Sequence, residues 1–209
     1  MVRTLSIALA IGLAGSGVAI AKTLRGTERN DTLVGTPAAD VIDASGGDDS
    51  IYGGDGDDRL DGGSGKDHIW AGGGNDTIVG GPAGDLARGT PSTRHERIFG
   101  GAGNDVIVVR VAGSVIFAGP GNDRIDARDP QNDCTIRERG RRLPGVELQT
   151  VFHPLDPPHC SNLVNTGPGD NFVRADDGSL DLIFCLGTRD RVIADQADRV
   201  APECDKVRR

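Results

Sequence analysis

The sequence predicts an all-β fold: a parallel β-roll (a β-helix solenoid) of nonapeptide repeats with a disulfide-bonded C-terminal cap. Three observations predict it. The first is composition: 32 of the 209 residues are glycine and only seven are aromatic. The second is a nine-residue period that runs through the first half of the chain. The third is that all four cysteines, Cys134, Cys160, Cys185 and Cys204, fall in the second half.

Composition bounds the rest. With 23 basic and 31 acidic residues the net charge is −8. An acidic chain with few rings lacks the basic face and stacking surface that nucleic-acid binding needs. Large side chains are too few for a thick core. An apolar content of 36% nevertheless exceeds that of a disordered chain.

Residues 1–21 read as a signal peptide. Arg3 supplies the positive start, Leu5 to Ile20 carry no charge, and Ala19-Ile20-Ala21 fits the small-x-small cleavage rule. The apolar run is short for a membrane span, and no later run is apolar enough to be one. The expected mature chain begins at Lys22, is secreted, and has no membrane span.

Residues 22–126 are expected to form the roll. From Gly26 the chain divides into GTERNDTLV, GTPAADVID, ASGGDDSIY, GGDGDDRLD, GGSGKDHIW, AGGGNDTIV and GGPAGDLAR. Position six is Asp31, Asp40, Asp49, Asp58, Asp67, Asp76 and Asp85. Position eight is aliphatic until Ala87. Gly89-Thr90 breaks the register. PSTRHERIF, GGAGNDVIV, VRVAGSVIF and AGPGNDRID follow, with Glu96, Asp105, Ser114 and Asp123 at position six. These blocks resemble the glycine-rich nonapeptide G-G-x-G-x-D-x-U-x of the RTX, or haemolysin-type, calcium-binding repeat proteins. The resemblance covers about half the chain.

Physical chemistry supports the same arrangement. Glycines let six residues turn tightly. The remaining three form a short strand whose middle side chain points inward. Two blocks make one coil, so each position-six Asp lies over the Asp two blocks on. Stacked carboxylates repel unless a hard cation lies between them. Ca²⁺ takes about six to eight oxygens, carboxylate and carbonyl alike, and Mg²⁺ fits such a site less well. Several Ca²⁺ ions are therefore expected. The candidate ligands are Asp31, Asp40, Asp49, Asp58, Asp67, Asp76, Asp85, Asp105 and Asp123, with turn backbone at Gly53, Gly62, Gly65, Gly72 and Gly74. The best sites are expected between Asp49 and Asp85. The turn at 91–99 is doubtful, and Ser114 supplies no carboxylate. Residues 26–126 hold 17 acidic and 8 basic residues, a net −9, so the charge sits on the repeats.

Residues 127–165 read as an irregular insertion, rich in proline and carrying the basic run Arg137 to Arg142. Residues 166–209 read as degenerate repeats and a cap. Asp181 to Val207 resembles the C-terminal end of actinobacterial members of the repeat family. Four cysteines in an exported chain suggest two disulfides, with three connectivities open. Cys134–Cys160 would close the insertion. The resemblance favours Cys185–Cys204 as the staple of the cap.

Enzyme signatures fail. His95-Glu96 lacks the second histidine of H-E-x-x-H, and no G-x-S-x-G is present. His153, Asp156, His159 and Cys160 could be read as a zinc cluster or a cryptic hydrolase, but the prolines among them disfavour a single presenting face. The resemblance implies no catalytic residue. It also implies export by a C-terminal signal, from which this chain departs by its amino terminus. The expected function is a secreted, non-enzymatic calcium-binding protein. The alternative is adhesion to cell-wall glycan or another surface protein through the roll or the 127–165 insertion.

Overall fold

The computed structural model describes residues 19–81, 96–110, 113–128, 162–178, 180–186, 189–204 and 206–208. Every regular element among them is a strand. The strands are β1 (Thr23–Arg25), β2 (Thr32–Val34), β3 (Val41–Asp43), β4 (Ser50–Asp55), β5 (Arg59–Asp61), β6 (His68–Gly73), β7 (Thr77–Val79), β8 (Arg97–Ala102) and β9 (Val106–Val108). They continue as β10 (Val115–Phe117), β11 (Arg124–Asp126), β12 (Leu163–Asn165), β13 (Phe172–Arg174), β14 (Leu182–Phe184), β15 (Arg191–Ile193), β16 (Arg199–Val200) and β17 (Lys206–Arg208).

Odd strands form one nine-stranded sheet and even strands one eight-stranded sheet, each in sequential order. All pairings are parallel, and equivalent repeat positions lie side by side, as in Ile51 beside Ile69 and Ile69 beside Ile98. The chain thus winds as a β-roll, and it carries a Cys185–Cys204 disulfide near the C-terminus. No helix among the described residues is long and apolar enough to cross a membrane.

The core is one side chain thick. The middle residue of each strand points inward, and Ile42, Ile51, Leu60, Ile69, Ile78, Ile98, Ile107, Ile116 and Ile125 are all buried. Small residues that open the turns, such as Ala44, Ala71, Ala118 and Ala175, fill the corners. A chain poor in large side chains can close this core because each coil asks for only two aliphatic residues. Most aromatic residues lie outside it. Tyr52, Trp70, Phe99 and Phe117 stack ring on ring along the outer face of the eight-stranded sheet, with centroids 4.7 to 5.8 Å apart.

The coils continue past residue 126. Strands β12 to β17 extend the same two sheets, so residues 166–209 add coils to the roll before the chain ends. The insertion leaves from a single turn: β11 and β13 are adjacent in one sheet, and β10 and β12 in the other. Its residues 129–161, the Cys134–Cys160 pairing and the His153, Asp156, His159 cluster lie outside the described residues. So do residues 1–18 of the expected signal peptide.

Candidate metal centre

The turns lie along two edges. On the first edge the chain passes from the nine-stranded to the eight-stranded sheet, and on the second it passes back. Position six ends each turn on both edges.

The second edge carries Asp40, Asp58, Asp76, Asp105, Asp123, Asn171 and Asp190. Their backbone and side chains interlock from coil to coil. The Asp58 N–H donates to Asp76 Oδ1 at 2.8 Å, Asp76 N–H to Asp105 Oδ1 at 2.9 Å, and Asp105 N–H to Asp123 Oδ1 at 2.9 Å. The first edge starts the same way, with Asp31 N–H donating to Asp49 Oδ1 at 2.8 Å and Asp49 N–H to Asp67 Oδ1 at 3.0 Å.

One carboxylate oxygen of each aspartate is therefore used by the backbone. The other decides the chemistry. In Asp49, Asp58, Asp67, Asp76, Asp105 and Asp123, Oδ2 is buried and has no hydrogen-bond partner. An unmet buried carboxylate oxygen is costly. Asp31 and Asp40 are different: Thr27 and Thr36 donate through both backbone and hydroxyl to their Oδ2 atoms. Position two is Thr27 and Thr36 in these two turns, Ser45 in the turn of Asp49, and glycine in the turns of Asp58, Asp67, Asp76, Asp105 and Asp123.

The space beside these oxygens is kept open by glycine. At Gly62 a side-chain carbon would meet the Gly80 carbonyl oxygen at 2.5 Å and Asp67 Oδ2 at 2.6 Å. The carbonyl of one coil and the orphaned carboxylate oxygen of another therefore converge where a Cβ would sit. Gly53 and Gly62 fill this role without positive φ, whereas Gly65, Gly72 and Gly74 turn the chain at φ 139°, 115° and 129°. Among the described residues no group of three or more His, Cys, Asp or Glu side chains converges as a metal site. The donors are instead paired carboxylates and main-chain carbonyls, all hard oxygens. That set fits Ca²⁺ and is a poor match for zinc, which prefers nitrogen and sulfur.

Electrostatics agree. Burial, reinforced by the carboxylates of neighbouring coils, raises Asp49 to about 6 and Asp67, Asp76 and Asp123 to about 7. Burial likewise raises Asp58 and Asp105. Each carboxylate is thus held in a place that disfavours its charge, unless a cation is present.

The structure also places residues that the candidate ligand set omits. The slot beside Asp67 is taken by Glu96, because β6 pairs directly with β8. Glu96 is buried, both its carboxylate oxygens lack partners, and burial raises its pKa well above the usual range. Asp85 lies outside the described residues. Asp181, at position six of a late coil, is buried with Oδ2 unpartnered and is raised to about 8, chiefly by burial. Its Asp-x-aliphatic signature is legible in the sequence, whereas the Glu96 slot is hidden by the irregular spacing before it.

Position five forms a second ladder that the period alone does not reveal. Asp57 Oδ1 accepts from Asn75 N–H, Asn75 Oδ1 from Asn104 N–H, and Asn104 Oδ1 from Asn122 N–H, at 2.7 to 2.9 Å. Asp48 likewise accepts from Lys66 N–H at 3.0 Å. These side chains knit the turns together.

A parallel roll with oxygen-only donors in its glycine turns is a cation-binding solenoid. A family model of the RTX calcium-binding nonapeptide repeat matches the chain in four copies, at residues 25–60, 52–86, 92–108 and 114–129. Residues 25–129 accordingly carry RTX calcium-binding nonapeptide repeats. No curated protein and no solved structure matches it.

Proposed function

We propose that this is a secreted protein whose β-roll is folded and stabilised by several Ca²⁺ ions bound between stacked turns. The observation that carries the reading is the row of buried, unpartnered carboxylate oxygens on Asp49, Asp58, Asp67, Asp76, Asp105 and Asp123. Bound calcium supplies the positive charge that lets these groups ionise together. The chain's residues do the rest. Asp side chains lock one oxygen to the backbone of the adjacent coil and aim the other inward, while the glycine turns bring carbonyls alongside.

Without calcium the stacked carboxylates repel, so binding free energy becomes folding free energy. Extracellular sites of this kind bind at about 10⁻⁴–10⁻³ M. The chain would therefore stay unfolded in a calcium-poor cytoplasm and fold after export. The charge-free run from Leu5 to Ile20 supports that route. A calcium titration of the purified protein, followed by far-UV circular dichroism with magnesium as control, tests this reading. A cooperative gain of β signal with calcium alone is expected. A calcium-free protein already fully folded at low ionic strength would overturn the switch.

A further inference from the structure

The geometry points to a second site, for an anionic sugar, on the outer face of the nine-stranded sheet where it meets the second edge. A cavity of about 540 Å³ opens there, lined by Arg124, Asp170, Asn171, Phe172, Arg189 and Arg191. That volume is in the range of small-molecule sites, roughly 300–1,000 Å³.

Its construction follows from the repeat. Arg124, Phe172 and Arg191 are the first residues of β11, β13 and β15, and the parallel register sets them side by side. First positions point outward, so two guanidinium groups flank one ring. The Arg124 guanidinium lies 5.2 Å from the Phe172 ring centroid. Two second-edge turns supply the wall. Arg189 grips Asp170 with a hydrogen bond of 3.2 Å from Nε to Oδ1 and an ion-pair contact of 2.9 Å between Nη2 and Oδ2. That pair is self-compensated. Neither Arg124 nor Arg191 has an ion pair with a described carboxylate.

The metal ladder changes at this point. Asn171 stands at position six in place of aspartate, with its Oδ1 accepting from Asp123 N–H at 2.7 Å as an aspartate would. The amide keeps the ladder and removes the charge. The cavity is left with three guanidinium groups against one carboxylate, on a chain whose net charge is −8. General attraction therefore does not draw anions to this protein, and any binding must come from local contact.

The lining specifies the ligand. Paired guanidinium forks match the two oxygens of a carboxylate or phosphate. The Phe172 ring gives the ligand's own ring an apolar face to pack on, and Asp170 offers an acceptor to its hydroxyl groups. A sugar acid or a sugar phosphate, free or as a unit of an anionic glycan, has this chemistry.

The test is isothermal titration of the calcium-loaded full-length protein with glucuronate, glucose 1-phosphate and glucose. Saturable 1:1 binding of one or both anions, without glucose binding, is expected, and the anion that binds distinguishes carboxylate from phosphate. Arg124→Ala and Arg191→Ala should each weaken it about tenfold. Arg191→Lys keeps the charge without the fork and should weaken it about threefold. Arg59→Ala, on the same sheet far from the cavity, should change nothing. Circular dichroism of each variant checks that the roll is intact, and Arg191→Lys serves where an alanine variant does not fold. Saturation by neither anion below roughly 10 mM, equal binding of glucose, or unchanged affinity in folded Arg191 variants would overturn the proposal.

Discussion

The two edges of the roll start from the same repeat and end differently. Along the second edge aspartates follow one another at position six from Asp40 to Asp123, with Asn171 and Asp190 beyond them. Along the first edge residues 80–96 separate β7 from β8 and residues 127–162 separate β11 from β12, and position six passes through Glu96, Ser114 and Asn162. Both sheets nevertheless stay in register. The comparison teaches that register is held by the strands and the inward aliphatic residues, while turn length is free wherever one edge alone departs. It also locates the densest run of unpartnered carboxylates on the uninterrupted edge.

The largest expected effect concerns what the two edges share, the close backbone approach at position two of the turn. Gly101, on the second edge, has φ 104°, and a side chain there would collide with the Gly72 backbone. Gly101→Ala should cost more than about 3 kcal/mol and abolish the cooperative calcium transition. Gly46, at position three of a first-edge turn, meets the ends of the Ser64 and Glu28 side chains at 2.9 and 3.0 Å and the Ser64 carbonyl oxygen at 3.6 Å. Gly46→Ala should cost less than about 1 kcal/mol. Equal damage in thermal melts would remove the distinction between positions two and three of the turn.

Next in size is the staple. Cys185 opens one second-edge turn and Cys204 lies in the turn after β16, so their disulfide ties consecutive coils. Cys185→Ser with Cys204→Ser should lower stability by about 2–3 kcal/mol. Hydrogen exchange should rise in β14 to β17 and stay unchanged in β3 to β9. Exchange that rises evenly along the roll would show that the coils melt as one unit.

Ion counting sharpens the comparison. Asp105→Asn should lower the number of ions seen by native mass spectrometry and raise the calcium midpoint about fivefold. Asp31→Asn should leave the count unchanged, because Thr27 already satisfies the second oxygen of Asp31. A loss of calcium in both variants would mean that the hydrogen-bonded carboxylates bind as well.

The smallest effect is on pH dependence. Asp67, Asp76 and Asp123 titrate near 7 in the metal-free roll, against an ordinary value of 3.8. An acid with a raised folded pKa carries no penalty below its unfolded value. The penalty grows from about pH 4 to 7 and is complete above that. Metal-free protein should therefore retain more β signal at pH 5 than at pH 8. With calcium the order should reverse, since ligands must lose their protons. A metal-free roll equally folded at both values would refute the argument that burial of these carboxylates opposes folding when they are charged. Trp70, the one tryptophan, sits in the aromatic row and reports these transitions by fluorescence.

Much of this was legible from residues alone. A period of nine with aspartate at six and an aliphatic residue at eight specifies strand, turn and inward face, since side chains alternate in a strand and glycine permits the turn. The spacing could not reveal that Glu96 takes the place beside Asp67, because β8 enters register only after an irregular stretch. Nor could it separate Asp31 and Asp40 from their neighbours: a threonine two residues into a turn is an ordinary substitution until its donors are seen to meet Oδ2. The arginine cavity was equally hidden, because Arg124 and Arg191 lie 67 residues apart in sequence. The sequence by itself determined the roll, its two sheets and the oxygen chemistry of its turns, all of which follow from local period and backbone freedom. Tertiary structure decided which carboxylate oxygens remain unpartnered, which edge stays continuous and which outward side chains become neighbours. Those depend on how coils stack after insertions of unequal length, a long-range outcome that no nine-residue window contains.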